Sequence, residues 1–231
     1  MTGGRRRTKA DGTHHLPFNE YAFAWHFTLN HKEETTLEFG DIFKDKLHNM
    51  DTEGRSEKYS DDNIFPYEPT PYSVLERLAD SGIIDENSYV IDYGSGMGRA
   101  CLYLSEKTGC RCTGIECIDE FYQASLKNLA DRNLKVDFVK CSVEDYPLPD
   151  DSNVMYFFNP FSEEIFEKVI DNIIESFNRN PREIKLLIYY PSDEYVAFLM
   201  RVEEMTFFDE IDCNDLFDEE TNRNRIMVFE C

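Results

Sequence analysis

Asp92, Gly94, Gly96 and Gly98 stand at alternate positions in the stretch VIDYGSGMGRA, an acid followed by three glycines. Glycine has no Cβ, so a turn rich in it lets backbone come close to a ligand. Between a strand and a helix of an open α/β sheet, such a turn lies at the carboxyl end of the strand, where these sheets bind ligands. Dinucleotides favour G-x-G-x-x-G, with pyrophosphate on the helix N-terminus. The spacing here is G-x-G-x-G, and a carboxylate just ahead of it repels pyrophosphate and suits a cationic ligand end. Glu116 follows Gly98 by 18 residues and ends the next expected strand. There a carboxylate can accept both hydroxyls of a ribose. These residues therefore point to a ligand with a ribose, a positive end and no phosphates.

The elements that must position them follow from hydrophobic period and breakers. Thr70 before Pro71 reads as a helix N-cap with proline in the first turn, and VLERLADSG gives helical spacing up to Gly82. Strands are then expected over 89–93, 112–116, 136–140, 154–158 and 184–190. Helices are expected over 99–108, 119–132, 166–177 and 194–202, with Phe121, Leu126 and Leu129 facing inward on the second. Two last strands, 206–211 and 225–229, have no helix between them, which implies an antiparallel edge. The alternation predicts an α/β fold, a doubly wound and mostly parallel seven-stranded sheet with helices on both faces. Residues 1–65 read as a tail, a helical N-terminal extension and a charged linker or lid over 51–65, with the principal domain spanning 66–231.

From Pro66 to the C-terminus the chain resembles the class I S-adenosylmethionine-dependent methyltransferases. VIDYGSGMGRA is similar to the first motif of that superfamily, CTGIECID to its acidic second motif, DFVKCSVEDYPLP to the third and SNVMYFFNPF to the fourth. Within the superfamily the chain looks most like small bacterial methyltransferases of unassigned substrate with NPF in the fourth motif. The resemblance implies a Rossmann-like methyltransferase fold and S-adenosyl-L-methionine as cofactor. Asp92, Gly94, Gly96 and Gly98 would surround its methionine part and sulfonium, with Tyr93 and Ser95 inside the same turn. Glu116 would hold the ribose, Cys117 would lie beside the adenine, and Ser142 and Val143 would flank the base. Ser142 departs from the pattern, because many members have aspartate there; Glu144 is the alternative partner for the adenine amine.

Methyltransferases that act on planar amino groups often carry N-P-P-Y in the fourth motif. Asparagine accepts a hydrogen bond from the target amine, proline directs carbonyls toward it, and the aromatic ring stacks on its plane. Here FFNPF has one proline, with Phe161 directly after it. Asn159 and Phe161 are the candidates for positioning the acceptor, Asn159 also for touching the cofactor. The competing reading makes this a strand-end turn, with Asn159 capping the next helix and Phe161 in the core. Methyl transfer from a sulfonium needs in-line alignment and exclusion of water more than it needs a base. Tyr72, Glu144 and Tyr190 are conceivable bases, since all five histidines, His14, His15, His26, His31 and His48, precede the strands. Tyr67, Tyr72, Phe161, Tyr189 and Tyr190 are candidates to line an acceptor pocket.

Composition bounds the rest. A hydrophobic fraction of 41% with 18 Phe and 13 Tyr fits a folded globular chain. No run approaches the roughly 18 apolar residues of a membrane span. Seven cysteines with no second pair beside Cys110 and Cys112 argue for reduced thiols in a cytoplasmic protein rather than a metal site. A net charge of -22 opposes general nucleic-acid binding, and the basic run Arg5, Arg6, Arg7 and Lys9 is confined to the tail. Residues 203–220 hold nine acids and no Lys or Arg, a solvated edge or a surface for a basic partner. The expected acceptor is thus a small molecule or protein before a nucleic acid. Two other readings stand beside the enzyme: an inactive S-adenosylmethionine-binding subunit or sensor, and an NAD-dependent oxidoreductase.

Overall fold

The computed structural model describes residues 35–231. The expectations for the tail, for its basic run and for His14, His15, His26 and His31 lie outside the described residues. Within them, Leu37–Cys231 form one compact unit. Helices α1 (Thr35–Leu47) and α2 (Tyr72–Asp80) precede β1 (Tyr89–Tyr93), α3 (Arg99–Thr108), β2 (Arg111–Glu116), α4 (Asp119–Leu129) and β3 (Val136–Lys140). There follow β4 (Val154–Phe157), α5 (Glu163–Arg179), β5 (Lys185–Tyr189), α6 (Asp193–Leu199), β6 (Thr206–Asp212) and β7 (Arg225–Glu230).

The seven strands pair in the order β3-β2-β1-β4-β5-β7-β6. β1 to β5 run parallel, and β7 inserts between β5 and β6 antiparallel to both. Parallel neighbours need long crossovers, which the helices supply. The β6–β7 link has no α-helix, so the chain reverses there. The doubly wound sheet with an antiparallel last strand is therefore the architecture observed.

Side chains alternate across the sheet, and that period of two sorts the core into two layers. Val90, Cys112, Val154, Tyr156 and Leu187 face α2 and α3. Ile91, Tyr93, Ile115, Phe157 and Ile188 face α5 and α6. α5 presents Phe166, Val169, Ile170 and Ile173 to the second layer, one stripe at helical spacing. It begins three residues before the expected start, with Glu163 and Glu164 in its first turn where the helix dipole favours acids.

Three local expectations need correction. Thr70 does not cap α2: Pro71 stands at the cap without a side-chain bond, and the Thr70 hydroxyl pairs with that of Tyr156 at 2.9 Å. α4 stops at Leu129, because Ala130 turns extended and Asp131 takes a positive φ of 61°. Leu126 is exposed, and the buried face of α4 is Phe121, Ser125 and Asn128. Small and polar residues serve there because that face lies over the glycine turn. A Cβ on Gly98 would sit 3.2 Å from Ser125, and the Asn128 amide donates to the carbonyls of Met97 and Asp51.

Candidate functional site

β1 pairs with β2 on one side and β4 on the other, so strand order reverses between β1 and β4. The crevice beyond the carboxyl ends of these strands is where an open α/β sheet binds ligands. The glycine turn sits at this crevice. Gly94, Gly96 and Gly98 have φ of 81°, 53° and 89°, a region that suits glycine. Close approach forbids a side chain as well: a Cβ on Gly94 would lie 2.7 Å from Pro160, and one on Gly96 would overlap the Tyr67 ring.

Asp92 is opposite Tyr156 in the β1–β4 register, and both belong to the layer under α3. The Asp92 carboxyl is 4% exposed, and its hydrogen-bond partner is the Cys101 thiol, with Sγ 3.5 Å from Oδ2. Burial pushes this acid up to about 7, and the nearby Glu116 adds to the rise. Glu116 is 6% exposed; Oε2 accepts from the Gly96 N–H at 2.9 Å and Oε1 from the Ile118 N–H at 2.7 Å. Burial raises it above the ordinary carboxylate value despite those bonds. Two desolvated carboxyls thus face one cleft, with no cationic side chain bonded to either among the described residues.

The cleft encloses about 1020 Å³, its open mouth included, large enough for a ligand of nucleoside size. Of the residues expected from sequence, Asp92, Gly94, Ser95, Gly96, Glu116, Cys117, Ser142, Val143 and Phe161 line it. Tyr93, Gly98 and Asn159 do not. The Tyr93 ring is on the opposite layer, stacked on Phe157 at 4.9 Å, so only its backbone belongs to the turn. Gly98 heads α3, where a Cβ would collide with Phe138. Asn159 has φ 41°, and its Oδ1 is buried without a hydrogen-bond partner among the described residues; Ser162 stands at the cap of α5, so Asn159 is not its cap. At the far end the Ser142 hydroxyl is 3.3 Å from Glu144. The buried Ser95 hydroxyl also lacks a hydrogen-bond partner among the described residues. Burial and Glu116 push the Cys117 thiol up to about 11.

The base and pocket candidates separate in the same way. Tyr67 and Phe161 line the cleft, while Tyr72, Tyr189 and Tyr190 do not. The Tyr72 hydroxyl donates to buried Asp45 at 2.5 Å, and Glu144 pairs with Lys168 at 3.0 Å. His48 packs on Tyr72 and Tyr103, outside the cleft.

Sequence reasoning missed a buried ion network under the turn. Arg99, the first residue of α3, is 3% exposed. Its Nε donates to Thr52 at 2.7 Å and its Nη1 to Asp41 at 2.6 Å, while Nη2 lies 3.4 Å from Asp45. Asp45 also accepts from the Thr52 N–H and hydroxyl. Part of the charged segment 51–65 is likewise built into the site. Ser56 bridges to Tyr67 and Ile64 to Phe161. Phe65 N–H donates to the Pro160 carbonyl at 3.2 Å, and Tyr59 bonds Glu120 at 2.7 Å and packs edge-on against Phe121. The Tyr67 ring lies between Gly96 and Phe121, its hydroxyl on the Thr52 carbonyl. A mostly polar stretch gives no periodic signal, so these partners could not be read from sequence; an arginine directly after the last glycine was the one available clue.

Residues 90–180 match a family model described as a methyltransferase domain. No curated protein matches the chain. Among solved structures, the human methyltransferase 10 domain containing protein is similar over 84% of this chain and 94% of its own, at 12% identity and a TM-score of 0.54. A TehB-like SAM-dependent methyltransferase from Corynebacterium glutamicum matches over 68% and 86%, at 14% identity and a TM-score of 0.51. An RNA methyltransferase from Salinibacter ruber in complex with S-adenosyl-L-homocysteine matches over 71% and 92%, at 17% identity and a TM-score of 0.47. The matched segment carries the glycine turn at the end of β1, in a sheet ordered β3-β2-β1-β4-β5-β7-β6, and over residues 90–180 the chain is similar to a methyltransferase domain.

Proposed function

We propose that this protein is an active cytoplasmic methyltransferase whose acceptor is a small molecule or a protein side chain. The observation that carries the cofactor assignment is the pair of buried carboxyls, Asp92 and Glu116, beside a glycine turn and, among the described residues, without a positive side chain bonded to either. A cationic ligand end supplies what Asp92 lacks, whereas a pyrophosphate would add negative charge to it, which disfavours the NAD reading. When bound, S-adenosylmethionine supplies a methyl group on an already activated sulfonium. Asp92 and the glycine turn would hold its methionine end, Glu116 the ribose, and Cys117, Ser142 and Val143 the base. Pro160, Phe161 and the cover formed by residues 56–67 would align the acceptor and keep water out.

The acceptor class is argued from the fourth motif and from charge. The Pro160 carbonyl accepts from Phe65 N–H, and the Phe161 carbonyl accepts from the Tyr195 hydroxyl at 2.5 Å. Each of those carbonyls already accepts one hydrogen bond, which disfavours the N-P-P-Y mode of gripping a planar amine. The cover carries Glu57, Asp61 and Asp62 against Lys58, which disfavours a phosphate backbone at the mouth. No helix among the described residues is long and apolar enough to cross a membrane.

Calorimetric titration with S-adenosylmethionine, S-adenosylhomocysteine and NAD tests the cofactor. Micromolar binding of the first two and none of NAD is expected. Methyl transfer from labelled cofactor to a desalted protein fraction or a metabolite fraction, against an RNA fraction, tests the acceptor. Labelling confined to RNA would refute the acceptor class, and cofactor binding with no transfer would leave a binding subunit.

A further inference from the structure

We propose that Cys101 is a positioning residue for Asp92, its thiol donating the hydrogen bond that holds this carboxylate in its charged form toward the ligand's cationic end. The inference rests on the S-adenosylmethionine reading above. Cys101 is wholly buried on the face of α3 that lies against β1, and its Sγ is 3.5 Å from Asp92 Oδ2. Among the described residues it is the only side chain or backbone group hydrogen-bonded to that carboxyl.

The groups around Asp92 leave this work to the thiol. From β2 comes Glu116, whose like charge opposes ionisation. From β4 comes the Tyr156 hydroxyl, which is bonded to Thr70. Arg99, on the same helix as Cys101, is directed at Asp41, Asp45 and Thr52. The Cys112 thiol of β2 is wholly buried in the same layer as Cys101. A thiol is a weak donor, but a bond to an ionised acceptor is stronger than one between neutral groups. Asp92 lies near the middle of the physiological range, at about 7, so a modest donor changes the fraction that is charged.

The test is the titration of the Asp92 side-chain carboxyl, followed by carbon-13 NMR in the ligand-free protein, for the wild type, Cys101→Val and Cys101→Ser. Valine is close to cysteine in size and removes the donor; serine keeps one. Cys101→Val is expected to move the Asp92 midpoint upward by about half a unit or more, and Cys101→Ser to leave it in place or lower it. S-adenosylmethionine affinity, measured by calorimetry across pH, follows. The valine variant binds about threefold or more weakly at pH 6.5 and converges on the wild type at pH 8.5. Unchanged midpoints in Cys101→Val overturn the proposal, as does a loss of affinity equal at every pH, which marks packing alone. A wild type that binds no S-adenosylmethionine at any pH sinks the cofactor reading instead, and the NMR titration still decides the Cys101–Asp92 contact.

Discussion

On the β1–β2 side of the cleft most lining groups come from two short stretches, 92–100 and 116–121, with Ser142 and Val143 following β3. On the β4 side they come from residues as far apart as Ile64, Tyr67, Thr70, Phe158, Pro160, Phe161 and Ile165. The first half is made by one strand–turn–helix and the strand next to it, so adjacency in sequence is adjacency in space. The second half exists only where a cover segment meets a strand end, through the Ile64–Phe161 bridge and the Phe65–Pro160 bond. On the proposed reading this difference separates what is general in the molecule from what is particular: the first half would take a cofactor, and the second would select an acceptor.

The largest effect is expected at the seam between the halves. Gly96→Arg places a side chain where the Tyr67 ring packs and where φ is positive. It should weaken S-adenosylmethionine at least about a hundredfold in calorimetry, a loss of roughly 3 kcal/mol. Retained binding would mean that Tyr67 and the turn move apart freely, and the comparison would fail at its centre.

Next is Arg99→Met, which strips charge from the network that joins α1 and Thr52 to the turn. Breaking one partner of a buried pair leaves Asp45 uncompensated, at a cost of about 3–5 kcal/mol in urea unfolding. A cost under about 1 kcal/mol would show that residues 41–52 are an appendage of the cleft rather than its foundation.

Asp92→Asn separates function from stability. Asp92 has a folded value near 7 against 3.8 for the free acid, so its charged form opposes folding. The folded state holds this proton where the unfolded state has lost it, so the contribution of Asp92 to stability falls as pH rises from about 4 to about 7. Above 7 the penalty is complete. Asparagine should therefore raise the melting temperature at pH 8, by an amount that shrinks toward pH 4, while it weakens S-adenosylmethionine. A variant less stable at pH 8 would show that the carboxylate is better solvated than its burial implies.

The smallest effect is expected for Tyr67→Phe. It removes the hydrogen bond to the Thr52 carbonyl but keeps the ring over Gly96, at a cost of about 1 kcal/mol or less by chemical denaturation. Cofactor affinity should change less than twofold. A larger loss would give the hydroxyl a ligand contact and move Tyr67 from the cover into the cofactor half.

Periodicity and glycine spacing were sufficient for the sheet, the turn and Glu116, because strands of period two and a strand–turn–helix are local patterns. Tyr93 shows the limit inside a motif: a turn residue can be named from sequence, but strand parity sends its ring to the layer under α5. Ser125 and Asn128 show another, since a helix face is apolar only where its neighbour is a side chain and not a backbone turn. By itself the sequence determined the doubly wound sheet and the two carboxylates that line the cleft, since these depend on hydrophobic pattern and on residues within a few positions of a strand end. Tertiary structure alone decided that Arg99 reaches back to Asp41 and Thr52, that Tyr67 packs on Gly96, and that Cys101 bonds Asp92. Such contacts join residues far apart in the chain, and their partners are chosen by the charge and space each burial leaves unfilled.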